Sequence, residues 1–553
     1  MGKTITIRCH NTGSTHAVPL GSTLEEIYFL LNLNMPYGTT SAKVNNRVEG
    51  LHFALFSSKD VEFLDVTSSS GMRTYTRSLF FVLYKAVHDV CPKAHLHIST
   101  SVAKGYACDL DVEGGITPEL VGRLKARMHE IVDAHIPFKR HTRPAEEAAA
   151  LFRADGLEDK AKLIESCGEL YTTYYTLDGL ADYFYGSLLV NTAQLRLFDL
   201  TTYDGSLFLR VPSSENPTEL LPIVEQQKMF DVFREHHRWQ QILGVNNVGV
   251  LNRAFELGYA DDLINVSEAL QEKKISQIAD RIAATPSVRI VLIAGPSSSG
   301  KTTFSKRLSV QLMAAGVHPV PLSLDDYFVD RTTTPRLPNG EYDYESIHAL
   351  NLPLLNDHLN ALLAGEEVEL PKYDFKSGIN SPSGKRLRLA PGSLLVVEGI
   401  HALNPMLTEH IPAEAKFKIY ASALTSILLD DHNYIPTTDN RLLRRIVRDF
   451  RYRGRSARET IRQWPAVREG EEKWIFPYQE EADVMMNTAL LFELAVLRPN
   501  ALPLLEQVPE NTPEYSEAHR LCKFLRYVHP LPNDSLPPTS LLREFLGGST
   551  FKY

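Results

Sequence analysis

The sequence predicts a multidomain chain that changes fold class along its length. The amino-terminal part reads as α+β, and the block from 287 to about 500 reads as α/β, a mostly parallel sheet flanked by helices. Three observations carry this. Ile290 to Ile293 form a short β-branched run that enters a glycine-rich turn closing on Gly300-Lys301-Thr302, with an amphipathic stretch over 304–313. Strand and helix patterns then alternate through the block, as parallel sheets with crossover helices require. Near the amino terminus, Thr4-Ile5-Thr6-Ile7 and Ala42-Lys43-Val44-Asn45 alternate with period two around a segment with helix-capping chemistry.

Taken in order, residues 1–65 give strand, turn, strand, helix, strand, with Ser22 or Thr23 as the helix cap and Val61-Glu62-Phe63-Leu64 as a late strand. Residues 66–210 form a second mixed region, with a helix over 79–87, a strand over 94–98 and a helix over 118–134 through Leu120, Val121, Leu124, Met128 and Ile131. A polar, mostly helical connector spans 211–285 and ends at Pro286. The α/β domain occupies 286–500. The proline-rich extension 501–553 carries one helix over 514–527 and is expected to wrap onto a neighbouring domain rather than fold alone.

The totals exclude several classes. With 553 residues there is material for several cores, and 43% hydrophobic with 23% charged residues is an ordinary globular balance. A net charge of −9 argues against general nucleic-acid binding. Five scattered cysteines, odd in number and never in C-x-x-C spacing, suit a reducing cytoplasm and offer no disulfide framework. No apolar run reaches membrane length and no signal-peptide core is present, so a cytoplasmic protein without membrane partners is expected.

The chemistry begins at 295–303. The sequence Gly295-Pro296-Ser297-Ser298-Ser299-Gly300-Lys301-Thr302-Thr303 is a G-x-x-x-x-G-K-[ST] loop set between a strand and a helix. Its glycines let successive N–H groups turn inward toward phosphate, and the following helix adds its positive end. Lys301 reaches the terminal phosphates of a nucleoside triphosphate, and the Thr302 hydroxyl is placed to hold Mg²⁺. Downstream, the strand over 320–324 ends in Asp325, a carboxylate placed to take the proton of an acceptor hydroxyl. The buried strand over 393–397 ends in Glu398, an acid suited to the metal. Arg441, Arg444, Arg445 and Arg448 share one helix face and open a run of ten arginines, opposed within the span only by Asp449 and Glu459. Such a run on a lid neutralises a transferring phosphoryl group. A basic face for RNA and a merely solvated face are the competing readings, the first weakened by the lack of interleaved aromatics.

Together these residues resemble the uridine kinase and phosphoribulokinase group of P-loop kinases. The likeness covers the phosphate loop, Leu324-Asp325-Asp326-Tyr327-Phe328, Tyr342-Asp343-Tyr344, Pro371-Lys372-Tyr373-Asp374-Phe375, Val397-Glu398-Gly399-Ile400, Thr438-Asp439-Asn440-Arg441 through Arg445, Arg448-Asp449 and Arg453-Gly454-Arg455. The resemblance implies ATP as donor, Asp325 as catalytic base, and Lys301, Arg444, Arg448 and Arg455 near the phosphates. It further implies that Asp343 holds the acceptor's sugar hydroxyls, with Tyr373, Asp374 and Arg441 beside the acceptor. One departure stands out: Gly378 occupies the place where nucleoside members carry a histidine for the base.

Residues 1–65 resemble the TGS module of threonyl-tRNA synthetases, a ubiquitin-like fold, on Ala42-Lys43-Val44-Asn45-Asn46-Arg47. Residues 70–205 resemble the editing domain of the same enzymes. That site requires four metal-competent side chains, whereas Thr74, Ser78, Phe184 and Leu188 stand at their positions. The resemblance therefore implies the fold without metal-dependent editing. Cys91, His95 and His97 lack a fourth ligand and read as ordinary strand positions.

The expected function is ATP- and Mg²⁺-dependent phosphorylation of a small hydroxyl acceptor, a nucleoside 5′-hydroxyl foremost. A phosphoribulokinase-type sugar-phosphate kinase is the alternative, with Lys376, Lys385, Arg386 and Arg388 as its extra cations. An RNA- or tRNA-binding protein using ATP as a switch is the reading from a different class. Nucleic acid is disfavoured with tRNA left open, as is homo-oligomerisation.

Overall fold

A computed structural model describes residues 3–552. At its centre lies a five-stranded, all-parallel sheet in the order His318–Ser323, Ser393–Glu398, Ile290–Ala294, Lys416–Ser422, Val484–Asn487. Ile290–Ala294 is buried along its whole length, as a central strand covered on both faces must be. One face packs on the phosphate-loop helix Lys301–Ala314 and the connector helix Ala260–Ala283 through Ile275, Ile278, Phe304, Leu308 and Leu312. The other packs on the helix Leu352–Leu363 and the hairpin Glu367–Asp374/Ile379–Arg388. All five strands point their carboxyl ends to one edge, which is where an open α/β sheet builds its crevice.

The amino-terminal module is a five-stranded sheet ordered Ser14–Pro19, Thr4–Cys9, Lys59–Leu64, Ser41–Val44, Arg47–Glu49, with the helix Leu24–Leu30 packed on it. Thr23 caps that helix: its hydroxyl accepts from the Glu26 N–H at 3.2 Å while the Glu26 carboxylate accepts from the Thr23 N–H at 2.9 Å. In the second region the first helix is much longer than its apolar periodicity suggests, running Ser69–Val90. Its early turns pack through Thr74, Thr76 and Ser78, which a reading of apolar spacing passes over. This region also holds a four-stranded sheet (Asp199–Tyr203, Ser206–Arg210, Gly105–Asp111, His95–Val102) and a three-stranded one (Leu180–Asp182, Tyr171–Leu177, Phe138–Pro144). Thr74 and Ser78 turn their hydroxyls onto the carbonyls of Ser70 and Thr74, and Phe184 and Leu188 are buried in apolar surroundings.

The connector folds into three helices, Gln227–Leu243, Val248–Glu256 and Ala260–Ala283. The C-terminal extension does not form its own core. Helices Glu493–Leu505 and Tyr515–Leu525 join the arginine-bearing helix Thr437–Arg453 and residues near 145–183 in one apolar cluster. A buried ionic knot ties the amino-terminal half to the α/β domain: Lys160, fully enclosed, donates to Asp430 at 2.7 Å and lies 2.9 Å from Asp182, which in turn meets His432 at 2.8 Å. No helix among the described residues is long and apolar enough to cross a membrane.

Candidate active site

The loop between Ile290–Ala294 and Lys301–Ala314 has the backbone a phosphate cradle needs. Gly295 lies at φ 159° with the Ala421 carbonyl oxygen 1.9 Å from where a Cβ would stand, and Gly300 at φ 82° has Leu541 at 2.3 Å from the same point. No other residue fits either position. Ser298 adopts φ 59°, and among the described residues the hydroxyls of Ser298 and Ser299 are buried without partners. Among the same residues the buried Lys301 ammonium donates only to the Pro296 carbonyl, at 3.1 Å. Burial pushes Lys301 below its ordinary value, while Glu398 and Asp325 pull it back up. Unsatisfied hydroxyls, a buried cation and close-packed backbone are what a polyphosphate chain would complete. Thr302 is half-buried at the first turn of the helix.

Asp325 follows the strand His318–Ser323 in a 3₁₀ turn, Leu324–Tyr327, and is exposed to the crevice. Glu398 ends the neighbouring strand and accepts from the Ser323 hydroxyl at 3.0 Å. Burial first, then the Asp325 charge, raises Glu398 to about 7, with Lys301 opposing. Two carboxyls and an ammonium thus converge where the sequence expects base, metal ligand and phosphate lysine.

The arginine helix is more divided than its spacing suggests. Arg441 donates to the Ser297 carbonyl at 3.1 and 2.9 Å, is clamped by Glu471, and lies over Trp464 at 5.4 Å. Arg445 donates to the Ser297 hydroxyl at 2.6 Å. These two brace the phosphate loop from outside, so Arg441 meets the loop rather than the acceptor side. Arg444, expected at the phosphates, is fully buried instead: it grips the Glu493 carboxylate with two bonds of 2.7 Å and donates to Thr488, whose hydroxyl donates to the Ser299 carbonyl. It reaches the loop only through Thr488. Arg448 holds Asp449 at 2.9 and 2.7 Å, and Arg455 donates to Gln463 at 2.7 Å, so neither meets the loop here. Helical periodicity places these residues on one face but does not say which way that face points.

On the acceptor side, Asp343 accepts from the Glu345 and Ser346 N–H groups at 3.2 and 3.1 Å. Asp374 accepts from Lys376 and Ser377 in the hairpin turn, and those bonds hold its carboxyl below the usual range. Tyr373 is buried against Phe328 and Phe375, with centroids at 5.5 and 4.9 Å. Gly378 has a local reason to be glycine. It lies at φ 75°, and a Cβ there would stand 2.5 Å from the Arg331 guanidinium, which donates to the carbonyls of Phe375 and Lys376. Arg331 fills the space a histidine would need. Arg386 and Arg388 lie at the far end of the hairpin, on Glu367 and the Gly365 carbonyl. With about 3.3 Å per residue, that is on the order of 20 Å from the turn carrying Asp374 and Lys376.

Several groups escaped sequence reasoning because they come from distant segments. Glu471 accepts from the Ser297 N–H at 3.3 Å as well as from Arg441 and Arg468. Glu544, in the C-terminal extension, accepts from both the N–H and the hydroxyl of Thr303, at 3.0 and 2.8 Å. A carboxylate of the chain itself therefore sits at the helix terminus that attracts anions. Glu345 is half-buried beside Arg445, Glu471 and Lys301, and the water it loses there raises it to about 7. Arg453 lies 5.8 Å from the Phe375 ring and within electrostatic reach of Asp325; the neighbouring Arg448 charge and burial lower it to about 10. The Arg453-Gly454-Arg455 motif carries both arginines, and spacing alone does not say which of the two turns toward Asp325.

Comparison with known proteins bears on the α/β domain and on the amino-terminal part. Residues 290–490 match the family described as Phosphoribulokinase / Uridine kinase. A uridine kinase of Deinococcus deserti is 30% identical over 198 residues, covering 36% of this chain and 86% of the relative. A uridine kinase of Halobacterium salinarum is 30% identical over 196 residues, 35% of this chain and 77% of its own. A threonine–tRNA ligase of a Geobacter species is 24% identical over 194 residues in the amino-terminal part, 35% of this chain and 30% of the ligase.

Proposed function

Because this chain belongs to the phosphoribulokinase and uridine kinase family through residues 290–490, and is thereby a phosphotransferase acting on a small substrate, we propose that its acceptor is a nucleoside 5′-hydroxyl and its donor MgATP. The observation that supports this most is the convergence of Lys301, Asp325 and Glu398 at the carboxyl edge of the parallel sheet, beside the phosphate loop. The loop amides, Lys301 and the Ser298 and Ser299 hydroxyls would hold the polyphosphate, and Thr302 with Glu398 would hold the metal. Bound Mg²⁺ supplies charge neutralisation on the phosphates.

In this reading Asp325 is the base: it accepts the acceptor's proton and aims its oxygen at the γ-phosphorus, while Lys301 steadies the charge that develops. Arg453, within electrostatic reach of Asp325, is the lid arginine this reading assigns to the transferring group, and Asp343, Tyr373 and Asp374 flank the acceptor. Since Arg331 occupies the base-reading histidine's place, recognition of the base falls to other groups. The test is ATP consumption by the purified chain against a panel of nucleosides and sugar phosphates, with mass spectrometry of the product. A nucleoside 5′-monophosphate is expected, and Asp325→Asn should lower turnover by on the order of 10³-fold with ATP binding retained. Turnover of sugar phosphates alone would replace the acceptor assignment, and an undiminished Asp325→Asn enzyme would remove Asp325 as base.

A further inference from the structure

A second concave site, sharing no lining residue with the phosphate loop, lies where the strand Arg47–Glu49, the helix Ser69–Val90, the strands Phe138–Pro144 and Tyr171–Leu177 and the helix Tyr515–Leu525 come together. Its volume is about 810 Å³, within the range of small-ligand sites. Eight arginine and lysine side chains line it against two carboxylates, Glu49 and Glu169, in a chain whose net charge is −9.

Several of these cations have carboxylate partners. Arg73 and Arg520 share Glu517, and Arg520 also holds Asp439. Four others do not. Arg498 donates to the Arg526 and Val528 carbonyls. Arg77 donates only to the Ser187 carbonyl and the Thr74 hydroxyl, Arg140 only to the Thr173 hydroxyl, and Lys523 has neither hydrogen bond nor ion pair among the described residues. The electrostatic consequence falls on Lys523, Arg77 and the neighbouring His519. Burial, then Arg77, with Arg140 and Arg47 adding to it, pushes Lys523 down to about 8 despite Glu49. Burial also lowers Arg77 to about 10, and burial followed by Arg47 and Lys523 lowers His519 to about 4. Like charges held together in a cavity with too few counter-charges are costly, and an anion that enters relieves every pair at once. Tyrosine rings, Tyr171, Tyr175 and Tyr185, stand among the cations and offer flat faces and hydroxyl donors.

We propose that this cavity binds a phosphorylated small molecule carrying at least two negative charges, held by Arg77, Arg140 and Lys523. Guanidinium forks and an ammonium are the groups that take phosphate oxygens. A concavity of this volume suits a compact anion rather than a polymer surface. The site is separate from the phosphotransferase reading and stands whether or not that reading does.

The test uses the full chain as wild type, as Lys301→Ala to silence the phosphate loop, and as Lys301→Ala with Arg140→Glu and Lys523→Glu. Inorganic tripolyphosphate, pyrophosphate and nucleoside mono- and triphosphates are titrated by calorimetry. Lys301→Ala is expected to bind one anion per chain, and the further charge reversals to weaken it at least tenfold. Preference for nucleotides over inorganic phosphates identifies the source of the phosphate. If the charge reversals prevent folding, Lys523→Met in the Lys301→Ala background replaces them, with weakening again expected. No anion binding by Lys301→Ala, unchanged binding after the charge changes, or binding of tRNA with no binding of the small phosphates overturns the proposal.

Discussion

At the scale of single residues, the groups that matter most are those whose charge has nowhere else to go. Lys160 is fully enclosed between Asp182 and Asp430. Replacing it by methionine leaves two buried carboxylates opposed only by His432. Lys160→Met is expected to lose about 3–5 kcal/mol in chemical denaturation; a loss below about 1 kcal/mol would show the knot to be unimportant. Gly378 is the second case. Gly378→His must displace Arg331 and adopt a positive φ, so it should destabilise the hairpin by about 1–3 kcal/mol and impair turnover, not improve base selection. A melting curve with a kinetic assay on the same preparation tests both halves of that expectation.

At the scale of elements, legibility in the sequence followed covalent proximity. The phosphate loop could be read because strand, turn, lysine and helix are contiguous, so spacing encodes geometry. Asp325 and Glu398 could be read because each directly ends a strand. The arginine helix Thr437–Arg453 was recognisable as a helix but not in its orientation: Arg441, Arg444 and Arg445 are buried while Arg451 and Arg453 lie outside. Glu471 and Glu544 could not be read at all, because they approach the loop from about 170 and 240 residues away. Glu544 carries a prediction of its own. Its carboxylate occupies N–H and hydroxyl donors at the loop helix, so Glu544→Ala is expected to tighten ATP binding roughly tenfold by calorimetry. Unchanged or weaker binding would mean that the tail supports the loop without competing for it.

At the scale of the whole molecule, pH acts through buried groups of opposite sense. His236 and His401 are held near 3 by burial, so each stays neutral in the fold while the unfolded chain takes up a proton below about 6.5. Each removes about 1.4 kcal/mol per pH unit as pH falls below that value. Glu345 and Glu398, raised to about 7, work against this between about 4.5 and 7, because there the fold keeps protons that the unfolded chain releases. His519, held near 4, adds to the two histidines, so stability is expected to fall gently from 6.5 to 4.5 and more steeply below 4.5. Glu345→Gln removes one counterweight, so its melting temperature should fall more steeply than wild type's between 6.5 and 4.5; a profile parallel to wild type would contradict this balance. The enclosed ammonium at the seam has a different kind of consequence. Split the gene near residue 285 and one product keeps the cation with Asp182, while the other inherits Asp430 stripped of its ammonium. Fission is thus a poor evolutionary option for this protein, and its two halves are bound to be inherited together.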